Sequence, residues 1–440
     1  MHAFQSGFRA IVLAVLTSGA SAAYGMQFDA GAAGGLEYTN NARLTSENER
    51  EDLIETALFQ LSAARNEGAL RANAQTSLLY RNYENDSYDS QRQFAFIGAA
   101  EWLIRPDSFV WSASDSYARQ PINALVPGTP TNLQGVNVFS TGLGASLPIN
   151  VRQRLSFKPQ YNNFYFEKTD YDNQQYTLGA AWTYRVTLPL SLSLNSNLNR
   201  TTYNESVYQG TTMARYFVGL QGLSPRMSFI ANLGFTDVLS EHVGSGGGYL
   251  ANLSWNYRSS QHSQMSAYLA SEITNTSQVL AQVGVDPNLG IGVDQQISSN
   301  LFRSETARLA YNWRLVETDW RLTGYWDKRH QGVGGTQSTT GTQLSVNYPL
   351  GAALSTLLAT IYEQVRVSGS VSGYESYTFQ GGLTYALSGK LKATLAVADS
   401  HRSSDLASAQ YDDLRVLLFF SYGSGAALIP GSSMPGLMTP

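Results

Sequence analysis

The chain has no cysteine among its 440 residues. This excludes structural disulfides, thiolate metal sites and the lipidated cysteine of a lipoprotein. Charge is sparse as well: Asp, Glu, Lys and Arg together make up 14% of the sequence, lysine is scarce beside arginine, and the net charge is −4. Nucleic acid finds no basic footprint here. Long apolar runs are also missing. Beyond the N-terminus no window approaches the roughly 18–20 apolar residues that a spanning helix requires. No Pro-rich or Ser-rich linker divides the chain into the several soluble domains that its length would ordinarily suggest.

Tyrosine and glycine, by contrast, are abundant, at 26 and 39 residues. With few charges and a mean hydropathy of −0.21, this composition suits apolar residues spread thinly along many strands. The N-terminus sets the compartment. Met1–Arg9 is short and basic, Ala10–Leu16 is apolar, and small residues follow through Ala20-Ser21-Ala22 and Ala23-Tyr24-Gly25. That order reads as a secretory signal peptide cleaved near Ala22 to Gly25. The expected division is a leader over 1–25, a single folded domain over 26–422 and a Gly/Pro-rich tail over 423–440.

The stretch QYTLGAAWTYRVTLPLSLSLNSNLNRTTY (175–203) shows the pattern of that domain. From Tyr176 to Leu188 every even position is apolar, and Thr177, Gly179, Thr183, Arg185 and Thr187 lie between. After Pro189 the alternation resumes as Leu190, Leu192 and Leu194 against Ser191, Ser193 and Asn195. Period-two alternation on both sides of a turn predicts a β-hairpin. Similar segments recur along the chain, about twenty in all and roughly 9–12 residues long, enough to cross a bilayer at a tilt of ~45°.

Connection lengths alternate strictly. Tight turns such as Arg105-Pro106-Asp107, Pro148-Ile149-Asn150 and Ser388-Gly389-Lys390 are interleaved with long polar segments such as Asn40–Glu51, Gln120–Gly135 and Asp399–Gln410. A transmembrane, antiparallel, up-and-down β-barrel sorts its loops this way, with tight periplasmic turns and long outer loops. An even strand number then places both termini in the periplasm. The tail after Tyr422 is expected to lie loose there, its Gly and Pro arguing against another strand.

The apolar face therefore touches lipid and the polar face lines a bore. Trp182, Tyr184, Trp255, Tyr257, Trp313 and Trp320 sit near tight turns, where aromatic rings form a girdle at headgroup depth. By parity the inward side chains include Arg71, Arg81, Lys158, Arg185, Arg215, Arg258, Arg308, Arg314, Arg321 and Arg415, the acids Glu101 and Glu272, and the tyrosines Tyr268, Tyr325 and Tyr362. Arginine in excess of acid attracts anions, and tyrosine rings with Asn amides suit the faces and hydroxyls of sugars; the same arginines could equally pair with loop acids to hold the wall together. Barrels of roughly 16–18 strands already leave an aqueous channel, and no globular stretch precedes the first strand to plug this one. Ser277–Asn300 is apolar and Gly-containing for an outer loop; it either folds inward as a constriction or lies on the surface.

Catalytic chemistry finds little support. His242, His330 and His401 fall in expected outer loops and His262 in a tight turn, none with a Ser on the same face and an acid behind it. Paired-His spacing is absent, and Asn85-Asp86-Ser87-Tyr88-Asp89 reads as a solvated loop. No cofactor is expected.

Two segments carry a resemblance. In WLIRPDSFVWSASDSYARQPINALVPGTPTNLQGVNVFSTG (102–142), the turn Arg105-Pro106-Asp107 precedes Trp111 and Asp115, a Pro-rich loop, and Asn137…Ser140-Thr141-Gly142. With YLASEITNTSQ (268–278), it resembles the outer-membrane β-barrels encoded beside exopolysaccharide and PEP-CTERM/exosortase genes. That resemblance implies an outer-membrane location and a pore or export role for extracellular polysaccharide, and it implies no catalytic residues. The expected partners are outer-membrane lipid and lipopolysaccharide, a polysaccharide cargo and the barrel-assembly machinery. The alternatives are a general or anion-preferring diffusion porin, and a structural or adhesion barrel that binds polymer through its outer loops.

Overall fold

The computed structural model describes residues 25–423, apart from 206–207, 209, 240–245, 284–299, 332–334 and 369–372. The expected signal peptide and the tail beyond Gly423 lie outside the described residues. Twenty strands follow one another. They are β1 (Met26–Thr39), β2 (Asp52–Arg65), β3 (Leu70–Tyr83), β4 (Gln91–Arg105), β5 (Phe109–Pro121), β6 (Leu133–Pro148) and β7 (Gln153–Phe166). Then come β8 (Asn173–Thr187), β9 (Leu190–Tyr203), β10 (Thr211–Leu223), β11 (Met227–Leu239), β12 (Gly246–Ser260) and β13 (Ser263–Thr274). A short helix, α1 (Thr276–Val283), precedes β14 (Phe302–Leu315), β15 (Thr318–Gln331), β16 (Gly335–Pro349), β17 (Leu354–Val367), β18 (Tyr374–Ala386), β19 (Leu391–Ser404) and β20 (Tyr411–Gly423).

Each strand pairs antiparallel with the next, and β1 pairs with β20. The sheet is thus a closed, transmembrane, 20-stranded antiparallel barrel, roughly 40 Å across on standard strand spacing and tilt. Alternation decides which way each side chain points. On β1, Phe28, Leu36 and Tyr38 are exposed outward while Glu37 and Thr39 are fully buried inside. On β20, Leu414, Val416, Leu418, Phe420 and Tyr422 face out, and Leu417 and Phe419 face in.

The outward surface is a belt of Leu, Val and Phe between two rings of aromatics. At the tight-turn end, Trp182 stacks on Tyr184, Trp255 on Tyr257, and Trp313 on both Tyr311 and Trp320, with ring centroids 4.9–6.2 Å apart. At the long-loop end lie Tyr38, Tyr80, Tyr176, Tyr216, Tyr249, Trp326 and Tyr377, all exposed. Tyr176 and Tyr184 on β8 are about 27 Å apart along the strand, or about 20 Å vertically, close to the height of an outer-membrane apolar band. A surface of this kind is stable only against hydrocarbon.

The weakest join is the seam. β1 pairs with β2 along Met26–Thr39 but with β20 only along Gly31–Thr39. Side chains reinforce it. Glu37 accepts from Arg81 of β3 at 2.5 Å and from Arg415 of β20 at 2.8 Å, and Arg415 also pairs with Asp413. Asp413 in turn accepts from the Thr39 hydroxyl at 2.6 Å. Just beyond, the Asn41 amide donates to the Asp412 carbonyl at 2.9 Å. Removing one member of such a buried set strands the others without a counter-charge. Glu37→Ala is therefore expected to lower the urea stability of the micelle-refolded barrel by about 3–5 kcal/mol; a loss below about 1 kcal/mol would mean that backbone pairing alone holds the seam.

Candidate functional site

Inward side chains divide the bore into two halves of different character. Near the long loops, cations and acids neutralise one another. Besides the seam set, Arg215 faces Glu272 at 3.6 Å and Arg329 faces Asp327 at 3.3 Å. Glu363 accepts from the hydroxyls of Tyr325 at 2.5 Å and Tyr374 at 2.6 Å. Arg81, Arg215 and Arg415, expected to make the bore attractive to anions, are thus held within the wall by acids.

Toward the tight turns the picture reverses. Arg71, Lys158, Arg185, Arg258 and Arg321, with Arg308 at mid-bore, point inward and are exposed, and none forms an ion pair among the described residues. Arg321 donates to the Asn312 amide oxygen at 3.0 Å, and Arg314 is matched by Asp319 at 2.5 Å. The acids inside this half are Asp29, Glu101 and Asp319 on the same parity, fewer than the cations. Amides carpet much of the remaining wall. Asn232 donates to Asn252 at 2.8 Å and Asn195 to Ser193 at 2.8 Å; Asn199, which donates to Thr177 at 2.7 Å, is buried nearer the long loops.

Several inward aromatics lie over a glycine of the neighbouring strand. Tyr325 is paired with Gly341, Phe217 with Gly234 and Phe419 with Gly35. A Cβ at Gly341 would fall 2.3 Å from the Tyr325 ring, and one at Gly35 2.5 Å from the Phe419 ring. Glycine therefore lets each ring lie along the wall instead of projecting into the bore.

Two insertions reach across the long-loop end. The Asn275 side chain accepts from the Gln278 backbone N–H at 2.8 Å and so caps α1. That helix is directed inward. Ser277 accepts from Asn173 of β8 at 2.8 Å, and Gln278 accepts from Arg215 of β10 at 2.9 Å. Leu280 packs against an inward apolar patch of Ala118, Val136, Val138, Phe164 and Phe166. The second insertion, 122–132, is drawn together by the Asn132 amide, which donates to the Asn123 carbonyl at 2.7 Å and the Val126 carbonyl at 3.1 Å. It reaches β19, where Arg402 donates to the Leu125 carbonyl at 2.7 Å and lies 3.5 Å from the centroid of the Tyr374 ring. Tyr88 of the β3–β4 connection packs edge-on against Tyr83, with ring centroids 5.5 Å apart, and burial pushes its hydroxyl pKa up. Of the two readings open for Ser277–Asn300, the described part follows the inward one, and 284–299 lies outside the described residues.

Tyr268 and Tyr325 face inward, as parity predicts, but Tyr362 does not. It lies on the outward face beside Tyr377, with ring centroids 4.9 Å apart, and its hydroxyl donates to Glu375 at 2.9 Å. The expectation failed because β17 is apolar on both faces: Leu358 faces lipid while Ala359 and Val365 are buried inside. Alternation there does not distinguish the two sides. Sequence reasoning also missed Glu37, Asp413, Glu363 and Arg402. Inward parity at matching heights on the first and last strands would have signalled the Glu37–Arg415 pair.

The motif residues Asp115 and Asn137 meet on the outward face, where Asn137 donates to Asp115 at 2.7 Å and both are nearly inaccessible. This is a structural lock between β5 and β6. Asn137→Leu alone is expected to lower the urea midpoint, because the buried carboxylate loses a donor worth about 1.5–3 kcal/mol. Combining it with Asp115→Leu should recover part of that loss; an additive double mutant would refute the coupling.

These features define a transmembrane β-barrel with a polar, cationic bore at one end and inserted loops bridging the other. No family model matches the chain, and no curated protein does. Among solved structures it is similar to the siderophore receptor PirA from Pseudomonas aeruginosa, at 14% identity and a TM-score of 0.48 over 90% of this chain and 80% of that one. The FrpB iron transporter from Neisseria meningitidis (F5-1 variant) gives 8%, 0.45, 90% and 82%. OccK2 (OpdF) from Pseudomonas aeruginosa, in complex with glucuronate, gives 10%, 0.39, 91% and 97%. Likeness at this level assigns no cargo.

Proposed function

We propose that this chain is an outer-membrane pore that passes a hydrophilic solute outward, and that the solute is extracellular polysaccharide delivered by an exosortase-linked system. The tight turns and both termini face the periplasm, and the long loops face out. The observation that carries this reading is the lengthwise asymmetry of the bore. Cations stand open to solvent toward the tight-turn mouth, whereas pairs and inserted segments occupy the long-loop mouth. A cargo collected from the periplasm meets the attractive end first. The motif around Asp115 and Asn137 supports the link to exopolysaccharide genes. Lipid and lipopolysaccharide surround the belt, and the barrel-assembly machinery inserts the chain.

The same arginines favour a second reading, an anion-preferring diffusion porin. Gene deletion separates the two: loss of extracellular polysaccharide supports export, and unchanged polysaccharide with reduced uptake of small anions supports the porin.

In planar bilayers under a KCl gradient, the reversal potential is expected to show preference for chloride. Arg185→Gln/Arg258→Gln/Arg321→Gln should reduce that preference, and an unchanged potential would show that the rim charges do not govern the path. Replacing 276–300 with a short Gly-Ser linker should raise single-channel conductance, because α1 leaves the bore; equal conductance would mean that α1 does not narrow the conducting route.

A further inference from the structure

We propose that Tyr268, Arg308 and Tyr325 form a binding row for the carboxylate-bearing units of an acidic saccharide; this rests on the reading of the bore as a saccharide path. Register places Arg308 of β14 directly opposite Tyr268 of β13 on one side and Tyr325 of β15 on the other. All three face inward, and cross-strand partners of this kind stand about 5 Å apart. Arg308 lies midway along β14, so the row sits at mid-bore rather than at a rim.

Three further observations make it a site and not a chance cluster. First, the acids above the row are already engaged. Glu272 faces Arg215, Asp327 faces Arg329 and accepts from Thr306, and Glu363 accepts from Tyr325 and Tyr374. Arg308 is exposed and forms no ion pair among the described residues. Second, the Tyr325 ring lies along the wall over Gly341 and its hydroxyl is anchored on Glu363, which turns a ring face toward the bore. Tyr268 is itself 37% exposed. Third, two inward positions toward the tight turns, beyond the Ala310–Thr323 rung, Asn312 and Arg321 are hydrogen-bonded to each other and offer further donors.

The chemistry selects the ligand. A guanidinium fork matches a carboxylate bidentately. Flanking ring faces cover the C–H face of a pyranose, and amides meet its hydroxyls. A neutral glucan uses the rings alone, and a small inorganic anion uses the guanidinium alone; a uronate unit uses both. Mid-height placement makes the row a transient station for a chain moving through, attractive enough to enter and weak enough to leave.

The test is calorimetric titration of the refolded full barrel in micelles with hexagalacturonate and maltohexaose, alongside bilayer conductance of the same preparations. Hexagalacturonate is expected to bind, and Arg308→Gln should weaken it about tenfold or more, the value of one charge-assisted hydrogen bond. Arg308→Lys should recover only part of the loss, Tyr268→Ala should weaken both sugars, and Arg303→Gln, on the outward face of β14, should change affinity less than twofold. Heat-modifiable gel migration confirms that each variant is folded. The proposal is overturned if hexagalacturonate does not bind, if Arg308→Gln binds it as wild type does, or if Arg303→Gln costs as much as Arg308→Gln. It is overturned equally if inorganic phosphate competes as well as the hexamer at matched charge, which would reveal a mere attractor of anions. Binding without conductance would retain the site and remove the conduit reading, whereas conductance without binding would remove only the site.

Discussion

A peptide N–H or C=O in hydrocarbon has no water to turn to, and every one left without a partner costs several kcal/mol. An open sheet of this length would leave two such edges inside the membrane, so the pairing of β1 with β20 is the interaction on which the rest of the structure depends. It is also the shortest of the pairings around β1, and the ion set of Glu37, Arg81, Arg415 and Asp413 is concentrated there. Closure supplies the bore, fixes which face is inside and sets the height of every inward residue. The bore's chemistry follows from the seam being shut.

Within a closed wall, side chains inside serve two competing demands. Near the long loops they hold the barrel and its insertions together, which uses up charge: Glu37, Glu272, Asp327 and Glu363 each meet a donor, and Arg402 ties the 122–132 insertion to β19. Near the tight turns few acids are available, so the cations remain turned toward water. The division between a braced end and an open end is therefore a division in where acids were placed. Glycines opposite Tyr325 and Phe419 serve the second demand by keeping large rings against the wall.

Much of this architecture was legible from alternation and loop length. The hairpin over 175–203 reads directly as β8 and β9, and the rings at Trp182, Trp255, Trp313 and Trp320 lie outward at the tight-turn end. Register sets Arg308 opposite both Tyr268 and Tyr325, on the face that parity gives to the bore. Parity failed at Tyr362 because Leu357 and Leu358 make both faces of β17 apolar, and a period of two has no information where both faces bury carbon. Parity was also silent on which arginine is satisfied. Arg81 and Arg308 look alike in sequence, yet one is clamped by Glu37 and the other stands open.

By itself, then, the sequence determined the local facts: strands of membrane-spanning length, their inward and outward faces, the order of short and long connections, and an even count that closes. These depend on residues adjacent along the chain or two apart, so the pattern shows them. Tertiary structure alone decided what depends on partners far apart in sequence: Glu37 against Arg415, Asp115 beside Asn137, α1 laid on the inward faces of β5 to β8, Leu125 held by Arg402, and Tyr268, Arg308 and Tyr325 in one row. The reason is physical. Register between strands and the reach of a loop across the bore arise only when the sheet has closed, and only then does an inward charge have a definite neighbour.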